Sequence, residues 1–156
     1  MTFYSRKSAR IPNYDYHSRN YYFVTICTAN RRCIFGKANA LNSFGRIAEK
    51  EILRIPSHYD GVKIDTYVVM PNHIHMIVVL ENENYDLNQI IAQYKSGVTR
   101  NIRSMETDMA VWQRSYHDHV IRNQESYEKI WLYIESNPFN WDKDCFYLDP
   151  GIGSDQ

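Results

Sequence analysis

Four short runs rich in β-branched and aromatic residues, two stretches of helical apolar spacing between them, and two runs separated only by Pro71-Asn72 predict an α+β fold. The order strand, helix, strand, strand, helix, strand is that of a ferredoxin-like split βαβ sandwich. Its four-stranded antiparallel sheet has two covering helices on one face. A further C-terminal helix is appended to this unit.

Residues 1–20 are polar and aromatic without a period, broken by Pro12-Asn13, and read as an N-terminal arm. Residues 21–28, Tyr-Tyr-Phe-Val-Thr-Ile-Cys-Thr, are the first β-propensity run and open a domain expected over 21–140. Ala29-Asn30-Arg31-Arg32 breaks the run. Apolar residues recur at Leu41, Phe44, Ala48, Ile52 and Ile55, one face of a helix over 39–55 that Pro56 is expected to end. After a turn at 58–61, residues 62–70 and 73–80 form strands joined so tightly that they must be antiparallel neighbours. Leu87, Ile90, Ile91, Tyr94, Val98 and Ile102 keep helical spacing over 86–103, with Asp86 as N-cap. Residues 104–111 read as loop and 117–122 as the fourth strand. Tyr127, Ile130, Trp131 and Ile134 mark the last helix, running from Gln124 and closed by Asn137-Pro138. Residues 141–156 read as a C-terminal tail. In this topology the first and third strands are adjacent and central, so residues 73–75 lie mid-sheet.

At 156 residues and 44% hydrophobic content the chain supports one domain with a real core. Lys plus Arg equals Asp plus Glu, 18 against 18, so net charge points to no nucleic-acid partner, although the positive charges cluster locally. Three cysteines without a Cys-x-x-Cys pair exclude a disulfide framework or zinc finger as the organising feature. No apolar run approaches the about 18 residues needed to cross a bilayer, and the polar start lacks a signal-peptide core. No membrane association and a cytoplasmic location are the expectations.

His73-Ile74-His75 opens the third strand. Side chains alternate, so the two imidazoles share a face about 7 Å apart while Ile74 faces the core. They could each give a nitrogen to a divalent ion, or simply decorate the strand. On the last helix Tyr133 and Asn137 are one turn apart on one side, offset from the apolar stripe. A phenol there is a candidate nucleophile and the amide oxygen a candidate third ligand for a hard cation, although Tyr133 could equally be a boundary aromatic.

The string Met70-Pro71-Asn72-His73-Ile74-His75 resembles the histidine-hydrophobic-histidine motif of the single-tyrosine transposases in the HUH endonuclease superfamily. Residues 22–28, the stretch from Trp112-Gln113-Arg114 to Asn123, and Tyr133 to Pro138 look closest to the REP-associated tyrosine transposases. The resemblance covers most of residues 20–140. It implies an enzyme that cuts and rejoins single-stranded DNA beside a hairpin through a covalent 5′-phosphotyrosine. It also implies that His73 and His75 hold Mg²⁺ or Mn²⁺, that Tyr133 is the nucleophile, and that Asn137 stands where relatives use Gln or Asn as a metal ligand. A homodimer is a candidate assembly, with Tyr133 acting in its own chain or across the dimer.

Such DNA calls for cations on phosphate and aromatics against unpaired bases. The candidates are Arg31, Arg32, Lys95, Arg100, Arg114 and Arg122, with Arg6, Lys7 and Arg10 of the arm at the foot of a hairpin. His119 and Asp118 are candidates for the base that takes the Tyr133 proton, His117 and His119 being read first as strand-surface residues. A non-catalytic single-stranded nucleic-acid-binding module on the same fold is the alternative. A binding module has no use, however, for both an intact His-x-His and a Tyr-x₃-Asn helix. A structural metal protein ranks last, since two imidazoles and an amide make a poor closed zinc site.

Overall fold

A computed structural model describes residues 20–143 of the chain. The elements in order are β1 (Asn20–Cys27), a 3-10 turn (Ala29–Arg31), a short hairpin of β2 (Gly36–Lys37) and β3 (Ala40–Leu41), and α1 (Ser43–His58). They continue with β4 (Val62–Met70), β5 (His73–Leu80), α2 (Leu87–Arg103), β6 (His117–Ile121), α3 (Gln124–Ser136) and a 3-10 segment (Asn137–Lys143). The sheet runs β4-β5-β1-β6, antiparallel throughout. This is the expected split βαβ order with β5 and β1 in the centre. The N-terminal arm and most of the tail, 144–156, lie outside the described residues.

Two boundaries, both of α1, differ from the sequence reading. The helix predicted over 39–55 starts at Ser43, because Asn42 caps it: the Asn42 side chain accepts from the Gly45 N–H at 2.9 Å. Leu41, counted in the helical stripe, belongs instead to the β2–β3 hairpin. That hairpin needs Gly36, whose φ of +103° and backbone neighbours (a Cβ would meet Asn42 N at 2.6 Å) leave no room for a side chain. Pro56 does not end α1 but sits in its last turn. The ring's fixed φ suits a helix, and the burial of Ile55 and Tyr59 on either side holds the chain through the missing hydrogen bond. Asn137-Pro138 closes α3 as expected, with Asn137 its C-cap after Ser136, and a separate 3-10 segment then carries the chain on to Lys143, since a proline in a first turn gives up no needed N–H.

The alternation of side chains divides the core. Val24, Ile26, Ile74, Met76 and Val78 face α1 and α2. Tyr21, Ile77, Val79 and Ile121 face α3, which covers the other side with Tyr127, Trp131 and Ile134. Two polar contacts dock α3 on the edge strand: Tyr127 donates to Asp65 Oδ2 at 2.5 Å and Thr66 to Glu135 Oε2 at 2.8 Å. Trp131 is buried, with its ring 5.9 Å from that of Tyr127. Trp131→Ala should therefore lower unfolding stability by about 3–5 kcal/mol, read from the urea midpoint at unchanged slope. A loss under about 1 kcal/mol would mean that α3 is not held by this core.

Candidate active site under the last helix

The register on β5 puts His73, His75, Ile77 and Val79 on the α3 side while Ile74 enters the opposite core. The face left open by α1 and α2 is thus closed by α3 and the 3-10 segment, and both histidines are buried, at 0% and 1% exposure. They are not surface decoration of a strand. Their ring centroids lie 4.6 Å apart, and Phe23 packs on His75 at 5.3 Å.

Each imidazole is oriented through its Nδ1. Thr25, directly opposite His75 on β1, places its Oγ1 2.8 Å from His75 Nδ1. Asn72, fully buried in the turn before β5, places its Oδ1 2.8 Å from His73 Nδ1. The amide's orientation follows from its other end, where Nδ2 donates to the Arg31 carbonyl at 3.2 Å. An acceptor oxygen therefore meets Nδ1, which must carry the proton. The lone pair of His73 is left on Nε2, the form a metal ligand needs. The Arg31 carbonyl is brought there by the turn after β1, where Asn30 and Arg31 both take positive φ. Backbone bonds from Thr28 N to Asn72 O (3.0 Å) and from Phe35 N to Pro71 O (3.1 Å) clamp that turn around Pro71-Asn72.

Tyr133, near the C-terminal end of α3, puts its hydroxyl 3.4 Å from His75 Nε2 within the same chain, its ring 5.2 Å from the imidazole and 6.2 Å from Phe23. At 38% exposure it is both beside the histidines and reachable from outside. Asn137, one turn on, is buried, and the 3-10 segment it begins brings the Trp141 ring within 6.0 Å of His73. No cluster of three or more His, Cys, Asp or Glu side chains able to hold a metal occurs among the described residues. A cation held by His73 and His75 with an amide oxygen would keep open positions for phosphate oxygens and water. Such a donor set fits a hard divalent ion poised for catalysis better than closed structural zinc.

The cations divide. Arg31 and Arg32 lie at the histidine end of the sheet. Lys95 and Arg100 ride on α2, in the layer on the opposite face. The Lys95 ammonium donates to the Gln113 carbonyl at 2.8 Å, with those of Arg114 and Ser115 at 3.5 Å, and burial lowers its pKa. It fastens the Trp112-Gln113-Arg114 stretch, whose Trp112 indole donates back to the Lys95 carbonyl. Arg114 is exposed on that stretch, and Arg122 is exposed at the far end of α3 from Tyr133. His117 and His119 are exposed on β6 and share the site's face, in the rows of Thr25 and Phe23. Asp118, opposite Val24, belongs to the other face and is removed as a base for Tyr133.

Thr25, Asn72 and Trp141 are the residues that sequence reasoning missed. Asn72 was visible only as turn chemistry, and Trp141 lies beyond a proline expected to close the helix.

A family profile described as Transposase IS200 like matches residues 16–137. An uncharacterized protein of Haemophilus influenzae is 32% identical over 169 aligned residues, covering 92% of this chain and 94% of that protein. Among solved structures, a REP-associated tyrosine transposase bound to a REP hairpin superposes with a TM-score of 0.64 at 24% identity, covering 78% of this chain and 67% of that one. A candidate transposase of Deinococcus radiodurans superposes at 0.56 with 16% identity, covering 80% and 93%.

Proposed function

The chain belongs to the family of IS200-like transposases, and on that premise we propose that it nicks and rejoins single-stranded DNA at hairpin-flanked sites through a covalent bond to Tyr133. The observation that carries this reading is the 3.4 Å between the Tyr133 hydroxyl and His75 Nε2, made within one chain, so that no partner subunit is needed to deliver the phenol.

In the proposed reaction Tyr133 gives up its proton, which its partial exposure lets pass to water, and its oxygen attacks the scissile phosphorus in line. A new tyrosine O–P bond forms, the bond to the 3′ oxygen breaks, and that oxygen takes a proton back from water and leaves as a 3′ hydroxyl. The 5′-phosphotyrosine ester conserves the bond, so a 3′ hydroxyl can reverse the step and join strands without a nucleotide triphosphate. His73, His75 and Asn137 would hold Mg²⁺ or Mn²⁺, and a bound ion would neutralise phosphate charge and favour the phenolate. Phe23 and the helix packing hold the phenol ring; Thr25 and Asn72 hold the imidazoles. Hairpin DNA as substrate accords with the fold shared with the transposase bound to a REP hairpin.

The test is to incubate the protein with end-labelled single-stranded hairpin oligonucleotides and Mn²⁺ and run a denaturing gel. A covalent protein–DNA band is expected; its absence across flanked hairpins at any Mn²⁺ or Mg²⁺ concentration would sink the proposal.

Asn72 allows a finer test of metal holding. Asn72→Ala removes the acceptor that fixes His73, and should weaken Mn²⁺ binding about 10–100-fold, measured by the free-ion electron paramagnetic resonance signal without DNA. Asn72→Asp keeps an acceptor at that place and should recover most of the affinity. Equal affinity in all three proteins would remove Asn72 from the site.

A further inference from the structure

Beside the candidate active site a cavity of about 500 Å³ opens between the β2–β3 hairpin and the 3-10 segment. It lies within the range of about 300–1,000 Å³ usual for small-ligand sites. Ile34, Gly36 and Pro71 form apolar walls, Trp141 closes one side, and Arg32 and Lys37 contribute charge. Trp141 is shared with the histidine site, its ring 6.0 Å from His73 and tilted 31° to it. The cavity is therefore one ring away from the imidazoles.

Among the described residues its charge is uncompensated. Arg32 donates from Nη2 to the Ala110 carbonyl at 3.2 Å, while its buried Nε makes no hydrogen bond. Among the described residues neither Arg32 nor Lys37 has a carboxylate partner. An aromatic wall, small apolar walls and two spare cations suit a flat heteroaromatic ring joined to an anion.

We infer that this cavity takes one unpaired nucleotide of the DNA strand next to the cleavage point, its base against Trp141 and its phosphate against Arg32 and Lys37. The inference rests on the strand-transfer reading. It makes this pocket, rather than the hairpin-binding surface, the part of the protein that senses the single-stranded flank. Stacking tolerates every base, so the walls and Gly36 would set which bases are preferred.

The experiment uses the full chain and a stem-loop oligonucleotide with a flank of about ten mixed-sequence nucleotides, followed by fluorescence anisotropy. A single abasic site is walked along the flank. One position should weaken binding to the unsubstituted protein about tenfold, Trp141→Ala should weaken the intact flanked DNA by the same factor, and the two together should cost no more than either. Bare stem-loop binding should not change. Trp141→Phe should keep most of the flank affinity, which separates stacking from a folding defect. Arg32→Gln and Lys37→Gln should each lower the salt dependence by about one unit of slope. If abasic losses are the same with and without Trp141, or if bare stem-loop binding falls in step, the pocket assignment is overturned. A covalent band on these DNAs without that epistasis would sink the pocket alone; epistasis without any covalent band would sink the transferase reading and leave the pocket.

Discussion

Tyr133→Phe should abolish the covalent protein–DNA band, a fall of at least about a thousandfold in nicking rate, while hairpin binding stays within about twofold of the original. The substitution removes a single oxygen. The ring keeps its place because Phe23 and His75 pack on it edge-on at 6.2 Å and 5.2 Å. Since the hydroxyl is partly exposed and its contact to His75 is long, stability should change by no more than about 0.5 kcal/mol, and the melting temperature should hold. The variant thereby separates chemistry from binding and folding. A band that persists in Tyr133→Phe would move the nucleophile elsewhere, and with it the whole reading of α3.

His73→Ala or His75→Ala should cost at least about a hundredfold in Mn²⁺ affinity, since loss of even an orienting partner of a ligand costs about 10–100-fold. The adduct yield at low Mn²⁺ should fall in parallel and recover in part at high Mn²⁺. Both imidazoles are buried, so truncation also opens a cavity. A comparison of melts in EDTA corrects for this, because a purely structural histidine would lower the melting temperature without changing the Mn²⁺ isotherm. Mn²⁺ affinity unaltered in either variant would place the ion elsewhere.

Much of this architecture was legible in the residues. The β-branched runs placed β4 and β5 to the residue, because the apolar pattern is unbroken in the central, wholly buried β5 and both strands end at strong breakers, although β4 lies at the sheet edge. Period-two alternation already separated His73 and His75 from Ile74, and helical spacing already set Tyr133 and Asn137 on one side. That these pairs would meet required knowing that α3 lies across the sheet face left by α1 and α2, a tertiary fact with no local signature. Asn72 was hidden for a similar reason: what fixes its amide is a carbonyl 41 positions away in the chain. Pro56 misled, since a proline's effect on a helix depends on which turn it occupies and on what the flanking side chains bury, whereas Asn137-Pro138 closed α3 as its pattern implied.

The site draws on residues scattered from Thr25 on β1, through the Asn72 turn, to Tyr133 and Trp141 near the end of the described chain. A ribosome must therefore have translated nearly all of that stretch before the phenol can stand beside the imidazoles. Until α3 has emerged and docked, a nascent or truncated product carries the paired histidines without Tyr133 beside them. The meeting of phenol and imidazoles is in this way deferred until α3 has been made.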